Sequence, residues 1–466
     1  MSSSVAVDPA SVDRLRQRVR GQVATRGEPG YDKARRIWNG MIDRYPDVVV
    51  RCTGPADVVE AVHVAREHGL LLTVKGGGHS FAGLSVGDGG LLLDLSPMRG
   101  VRVDRAAMTA TVQGGATWAD VDHETQAHGL ATTGGLVSST GVGGLTLGGG
   151  KGWLGRKHGL ALDNLVGVDL VTADGRLVHA SADERPDLFW GLRGGGGNFG
   201  VVTAFEFRLH PVGPEVLGGP IFHPLEAAAD ALRFYRELLA EAPDELACYL
   251  IFTPLPPVDE VPADLQGTPG VAFAACYAGD LDDGLDALAP LRAFGQPLLD
   301  GIAPLPYTAL QQAFDAGAPA GGRYYTKAHY LDALTDEAIE IIVAGVERLP
   351  GEMAQIGIEP MGGAIGRVPV EATAFSHRDA SFSIGIWPGW TDPADDEERI
   401  AWARELHAEL TPHATGGVYV NYLDADEAAR VPDAYGPHHT RLAELKKAWD
   451  PDNLFRMNQN IDPMAG

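Results

Sequence analysis

Cysteine is scarce in this chain. Cys52, Cys248 and Cys276 are the only three, with no CxxC pair and no even-numbered framework. That argues against a disulfide scaffold and reads as reduced, buried thiols of a cytoplasmic protein. Long apolar runs are missing too. None reaches the roughly 18 residues of a membrane-spanning helix. The N-terminus, Met1 to Pro9 and then Arg14, Arg16, Arg18 and Arg20, lacks an apolar core and a cleavage site, so no secretory signal is expected. Positive charge is in deficit: 37 Lys and Arg against 62 Asp and Glu give a net charge of −25. Such a surface repels phosphates and anionic headgroups, which sets aside nucleic acid and membranes as partners.

What the chain has in excess is glycine. Its 60 glycines cluster in a few stretches, which points to special backbone loops and away from low-complexity sequence. At 466 residues there is room for two domains and a large core.

Val48 to Arg51 reads as a strand, Pro55 to Gly69 as a helix with proline in its first turn, and Leu70 to Val74 as a second strand. Strand, helix and strand imply parallel pairing with a right-handed crossover. The second strand runs directly into Gly76-Gly77-Gly78-His79-Ser80. Further strands are expected over Leu91 to Leu95, Val101 to Val112 as a hairpin, Leu165 to Thr172, Arg176 to His179 and Val201 to Leu209. Thr117 to His128 and Asp187 to Arg193 read as helices. Composition shifts near His210-Pro211. Beyond it, helices such as Leu225 to Glu241 and Asp336 to Leu349 alternate with strands such as Cys248 to Phe252 and Val271 to Tyr277, the pattern of an antiparallel sheet covered by helices.

Several motifs mislead. Gly195-Gly196-Gly197-Asn198-Phe199-Gly200 matches the dinucleotide fingerprint, but a β-branched run follows where a helix is required. Gly83-Leu84-Ser85-Val86-Gly87 matches the nucleophile elbow of serine hydrolases, yet Asp88-Gly89-Gly90 and a strand follow the serine. That reading predicts a colourless protein reactive at Ser85. His123 and His128 are one residue too far apart to share a helical zinc face, and no metal is expected. Lys151 precedes Gly152, where a phosphate loop needs Ser or Thr.

The positive signals are two glycine-rich segments. In Gly76 to Ser80, successive backbone N–H groups can curl into an anion-binding concavity and let a ligand touch the backbone. His79 inside it could cap the backbone, donate a proton to phosphate, or carry a covalent attachment. Gly141 to Trp153 is a second loop of this kind, too apolar at Val142, Leu145, Leu147 and Trp153 for a solvated linker. Two such concavities suggest an elongated ligand with a diphosphate in its middle.

The order and content of these motifs resemble the FAD-linked oxidases of the berberine-bridge-enzyme type, within the vanillyl-alcohol-oxidase-like flavoproteins. That group includes 6-hydroxynicotine-oxidase-like and oligosaccharide-oxidase-like bacterial members. The resemblance runs from Tyr31 to Pro463. It rests on Thr73 to Ser80, Gly159 to Asn164, Val171 to Gly175, Asp187 to Gly200, Tyr419 to Tyr422 and Asp450 to Ile461.

The resemblance implies an α+β chain. A PCMH-type FAD-binding domain would span residues 1–212, with subdomains over about 31–95 and 96–212. A substrate domain would span 213–416, and a C-terminal segment, 417–466, would return to the flavin. It implies one covalent bond from His79 to the flavin 8α carbon. Val74, Lys75, Gly76, Gly77, Gly78 and Ser80 would flank the diphosphate. Gly135, Leu136, Val137, Thr140, Gly141, Gly144, Leu145, Gly148, Gly149 and Trp153 would line the ring and ribityl chain. Gly197, Asn198 and Val202 would lie toward the adenine or diphosphate, and Asn421, Tyr422, Asn458 and Asn460 near the ring.

Two departures follow from the same alignment. Val137 stands where many relatives carry a second, cysteinyl attachment, so attachment through histidine alone is expected. Gly385 stands where some relatives carry a Glu or Gln base, which removes that base and leaves more room. Tyr422 is then the expected proton acceptor, although a phenol with an ordinary pKa near ~10 needs help to act as one. Tyr419, three residues earlier, is expected on the opposite strand face. Tyr324, Tyr325, His377 and Arg378 are further pocket candidates.

The chemistry implied is hydride transfer from a small-molecule C–OH or C–N group to the flavin, with dioxygen reduced to hydrogen peroxide. Thr140 is the candidate residue at the oxygen-reactive edge. A dehydrogenase with another electron acceptor, or a flavoprotein that binds without turnover, are the alternatives.

Overall fold

The computed structural model describes residues 7–257, 259 and 261–464. The opening leader reading partly concerns residues 1–6, which lie outside these. The first sheet has the order Gln22–Thr25, Val48–Arg51, Leu91–Asp94, Leu72–Lys75. Val48–Arg51 and Leu72–Lys75 both run parallel to Leu91–Asp94, with Val50 and Val74 each opposite Leu93. The parallel pairing expected of the strand–helix–strand unit is present, with a third strand inserted between the two. Helix Pro55–Glu67 crosses over and buries Val58, Ala61, Val62 and Ala65. The last residue of the edge strand Leu72–Lys75 is buried and pairs with Asp94 at 3.3 Å. That ion pair ends the strand and launches Gly76 to Ser80 from a fixed point.

The second sheet is wholly antiparallel, in the order Val101–Asp104, Thr109–Gln113, Val201–Arg208, Leu165–Val171, Leu177–Ser181. Val201–Arg208 lies at its centre. The glycine run before it therefore feeds a strand, and no dinucleotide-type helix follows. Helix Trp118–Gln126 starts with a Thr117/Asp120 capping box and packs on this sheet through Trp118 and Val121.

The largest sheet is antiparallel and built from eight strands between Glu215 and Trp387. Its strands show how period-2 alternation sorts side chains. Leu250, Phe252, Ile356, Ile358, Ile384 and Ile386 face helices Ala228–Glu241, Asp336–Glu347 and Asp396–Leu410 and form one core with them. Tyr249, Ile251, Gln355, Gly357, Glu359 and Trp387 alternate with these and face a cavity.

The C-terminal segment packs back on the first two sheets. Val418, Val420, Leu423 and Ile461 join the core of the second, and Leu454 and Phe455 that of the first. A fully buried pair holds it there. Lys446 Nζ contacts Asp450 Oδ2 at 2.6 Å and donates to the carbonyls of Asn198 and Phe455. Asp450 also accepts from the N–H groups of Leu454 and Phe455. The Asp450-Pro451-Asp452-Asn453 motif is thus a structural clasp.

Candidate functional site

The three sheets and the C-terminal segment enclose a cavity of about 450 Å³. Of the residues picked out from sequence, Val74, Gly76, Gly77, Gly78, His79, Ser80, Gly135, Leu136, Val137, Thr140, Gly141, Gly144, Leu145, Gly197, Val202, Asn421, Tyr422, Asn458 and Tyr324 line it. The two glycine segments meet there. A Cβ on Gly77 would lie 2.3 Å from Gly141 N, and one on Gly141 the same distance from Gly77 N. Neither position can carry a side chain.

The second glycine segment differs from expectation. It is a short helix, Val142–Gly148, followed by left-handed Gly150. The Gly144 side that a Cβ would occupy is empty, and Gly197 meets nothing closer than Asn458 at 4.0 Å. Among the described residues, the buried Oδ1 of cavity-lining Asn458 has no hydrogen-bond partner. Open backbone on two sides and an unpaired buried acceptor are what a long, polar, flat ligand such as FAD requires.

Other candidates lie outside the lining. Lys75 serves the strand end. Gly148 and Gly149 sit behind it, because their missing side chains leave space for Asn421 and the Tyr419 ring. Trp153 packs in the wall between Tyr249 and Phe314. Asn198 donates to the carbonyls of Gly195 and Gln459 and accepts from Ile461 N, so it ties the glycine run to the C-terminal segment. Asn460 is not on the lining, although its Oδ1 is buried and has no partner among the described residues. The Tyr325 hydroxyl is bonded to Asp426 at 2.7 Å. His377 contacts the carbonyl of Asp433, and Arg378 is ion-paired with Asp163 at 2.7 Å. These last three side chains hold loops together and do not reach the cavity.

Two expectations are corrected at the polar end. Val420–Tyr422 is a turn of 3-10 helix, so Tyr419 and Tyr422 lie on one side with their rings 4.9 Å apart. Gly385 does not leave space, because the indole of Trp387 covers both Gly385 and Gly357.

Sequence reading missed the central group. Glu359, buried on strand Gln355–Pro360, accepts from the Tyr422 hydroxyl at 2.8 Å. Its other oxygen receives the Lys151 ammonium and, at 3.0 Å, the Ser383 hydroxyl. Lys151 also donates to Ser383 at 2.8 Å and lies over the rings of Tyr419 and Tyr422. Burial, and then the Glu359 charge, push the Tyr422 phenol well above its ordinary range. Burial pushes the Lys151 ammonium down, and Glu359 opposes that. A signal for Glu359 existed: Ile356 and Ile358 flank Gly357, so Glu359 must share the other strand face with it.

His79 stacks on Trp38 at 4.9 Å, and its Nε2 meets Ser139 Oγ at 3.0 Å. Nδ1 has only a 3.5 Å contact to Thr140 Oγ1. Burial lowers the imidazole to about 4, which keeps it neutral at neutral pH.

The sequence models of two families match here, an FAD binding domain over residues 46–181 and a berberine and berberine-like segment over 418–462. An FAD-linked oxidoreductase of Dictyostelium discoideum is 34% identical over 97% of this chain and 97% of its own. The chain belongs to the berberine-bridge-enzyme-like FAD-linked oxidoreductases. Among solved members, 6-hydroxy-D-nicotine oxidase from Arthrobacter nicotinovorans superposes with a TM-score of 0.86 at 31% identity, covering 96% of this chain and 98% of that one. A chitooligosaccharide oxidase gives 0.85 at 25%, covering 98% and 100%. The resemblance seen in the motifs and the α+β, PCMH-type fold both hold. The chain is a berberine-bridge-like flavoenzyme with an FAD-binding domain.

Proposed function

We propose that this enzyme oxidises a C–OH or C–N group of a flat, largely apolar small molecule, with FAD attached through His79 and dioxygen as the electron acceptor. The observation that carries the reading is the Tyr422–Glu359–Lys151 network beside an otherwise aromatic wall. Bound FAD supplies the hydride acceptor and passes the electrons on, giving hydrogen peroxide. Val74, Gly76 to Ser80, Gly135 to Val137, Gly141, Gly144, Gly197, Asn421 and Asn458 would hold it.

The rest of the chemistry belongs to the chain. Oxidation at carbon requires the substrate O–H or N–H proton to leave. Tyr422 holds its own proton too tightly to act as a phenolate. It can instead receive the substrate proton at its oxygen while passing its own to Glu359, so the phenol stays neutral and the carboxylate is the final acceptor. Lys151 and Ser383 fix that carboxylate and temper its charge. Tyr249, Ile251, Phe314 and Trp387 give apolar and aromatic contact, which favours a ring-bearing alcohol or cyclic amine over a bare sugar chain.

The test is a screen of aromatic alcohols and cyclic amines against oligosaccharides, read as anaerobic bleaching of the flavin and then as peroxide on admitting air. Bleaching by the first group with stoichiometric peroxide supports the reading. Bleaching with slow reoxidation would make the enzyme a dehydrogenase, and turnover of sugars alone would reject the substrate class.

A further inference from the structure

The loop that carries His79 has three glycines before it, and Gly78 is left-handed at φ 73°. Such a backbone does not by itself fix where an imidazole points. The orientation must come from packing, and one face of the ring meets Trp38, nearly parallel at 15°.

Trp38 is itself immobilised from both sides of the cavity rim. Its backbone N–H donates to Gly78 O, and its carbonyl accepts from Gly321 N at 2.8 Å. Its indole N–H donates to Ala318 O at 2.9 Å. Its far face stacks on Tyr324 at 3.8 Å and 10°. Next to it, the Asn39 amide donates to both Phe81 O and Tyr324 O. Tyr324 is locked in turn by its hydroxyl, which donates to Pro319 O at 2.6 Å. The result is a three-ring stack, His79–Trp38–Tyr324, joining the glycine loop to the 318–324 segment that follows the large sheet's outer strands.

We infer that Trp38, backed by Tyr324, is the positioning residue for the bond between His79 and the flavin, and that attachment depends on the 318–324 segment being docked. This rests on the covalent reading above. The step is an oxidation. An N–C bond forms between the imidazole and the 8α carbon, one C–H and one N–H proton leave, and the two electrons and two protons end on dioxygen as hydrogen peroxide. The Trp38 face sets the ring plane and Ser139 its rotation. A misplaced nucleophile loses rate steeply, on the order of 10²-fold for about 1 Å.

The experiment compares wild type with Trp38→Leu, Trp38→Phe, Tyr324→Ala and Tyr324→Phe. Total flavin is read from the visible spectrum, covalent flavin from fluorescence of the acid-precipitated, denatured chain, and folding from the melting temperature. Trp38→Leu should bind flavin yet lower the covalent fraction on the order of tenfold or more after a fixed incubation with FAD. Trp38→Phe and Tyr324→Phe, which keep a ring in the stack, should stay near wild type, and Tyr324→Ala should fall between. Unchanged covalent fractions in Trp38→Leu and Tyr324→Ala would overturn the inference. So would equal loss of bound and covalent flavin in both, since that marks a merely structural role. If Trp38→Leu fails to fold, Tyr324→Ala, one ring further out, decides alone. Acid release of all flavin from wild type would instead overturn the covalent reading.

Discussion

The Tyr422 hydroxyl donates to Glu359 Oε1 at 2.8 Å, across the boundary between the C-terminal segment and the largest sheet. Two parts of the chain separated by 63 positions thereby share one hydrogen bond, the one the proposed proton relay would use. Because the phenol is held protonated, the proposed role for it is to relay a proton, and on that proposal removing either partner should break the same step.

Glu359→Gln and Tyr422→Phe should each slow anaerobic flavin reduction by about 10²–10⁴-fold while leaving flavin content unchanged. The double variant should be little worse than either single one, because groups that act as a unit are not additive. Stopped-flow reduction of the three variants checks this. Additive losses would separate the two residues.

Gly77→Ala should fail at the cofactor. Its Cβ would fall 2.3 Å from the backbone nitrogen of Gly141, so one of the two backbones would have to shift. The expected cost is about 1–3 kcal/mol of stability together with loss of bound flavin. Visible absorbance per chain and a denaturant midpoint measure both.

Lys446→Met should destabilise the fold by roughly 3–5 kcal/mol, because it leaves the Asp450 carboxylate buried without its counter-ion. Lys446 also bonds to the carbonyls of Asn198 and Phe455, so the loss should loosen the segment that bears Asn421 and Tyr422. Denaturant unfolding gives the energy, and hydrogen exchange over residues 418–461 gives the location.

Asp122 should make stability fall with pH. It is buried between helices Trp118–Gln126 and Tyr307–Gln311, where its Oδ2 accepts from Gln311 and its Oδ1 has no partner among the described residues. Burial raises its pKa to about 7. Since the folded value lies above the unfolded one, the neutral acid is favoured by folding. The benefit is complete below the unfolded pKa of about 3.9 and is lost as pH rises through 7. Asp122→Asn should therefore be more stable than wild type at pH 8, on the order of a few kcal/mol, with the gap shrinking toward pH 5. Melting curves at both values test the sign.

The features legible in the sequence were those set by the backbone. A glycine run at a strand end, a β-branched run after Gly200 and period-2 alternation each imply one geometry. The features missed were set by tertiary pairing. Glu359 is an ordinary acid in a strand until Lys151, 208 positions away, meets it. His377 and Arg378 lie near family motifs, yet Asp433 and Asp163 claim them. Strand spacing puts Tyr419 and Tyr422 on opposite faces, but the chain turns there as a 3-10 helix and brings them to one side. Asn198 and Asp450 sit in motifs whose work is to clasp the two chain ends, and nothing local distinguishes that from ligand binding.

The most direct test of the account is the intact mass of the acid-denatured chain, wild type beside His79→Ala. The account predicts one flavin adduct on wild type, carried by the peptide containing His79, and an unmodified variant. An unmodified wild-type chain, with its flavin free in the supernatant, would contradict it.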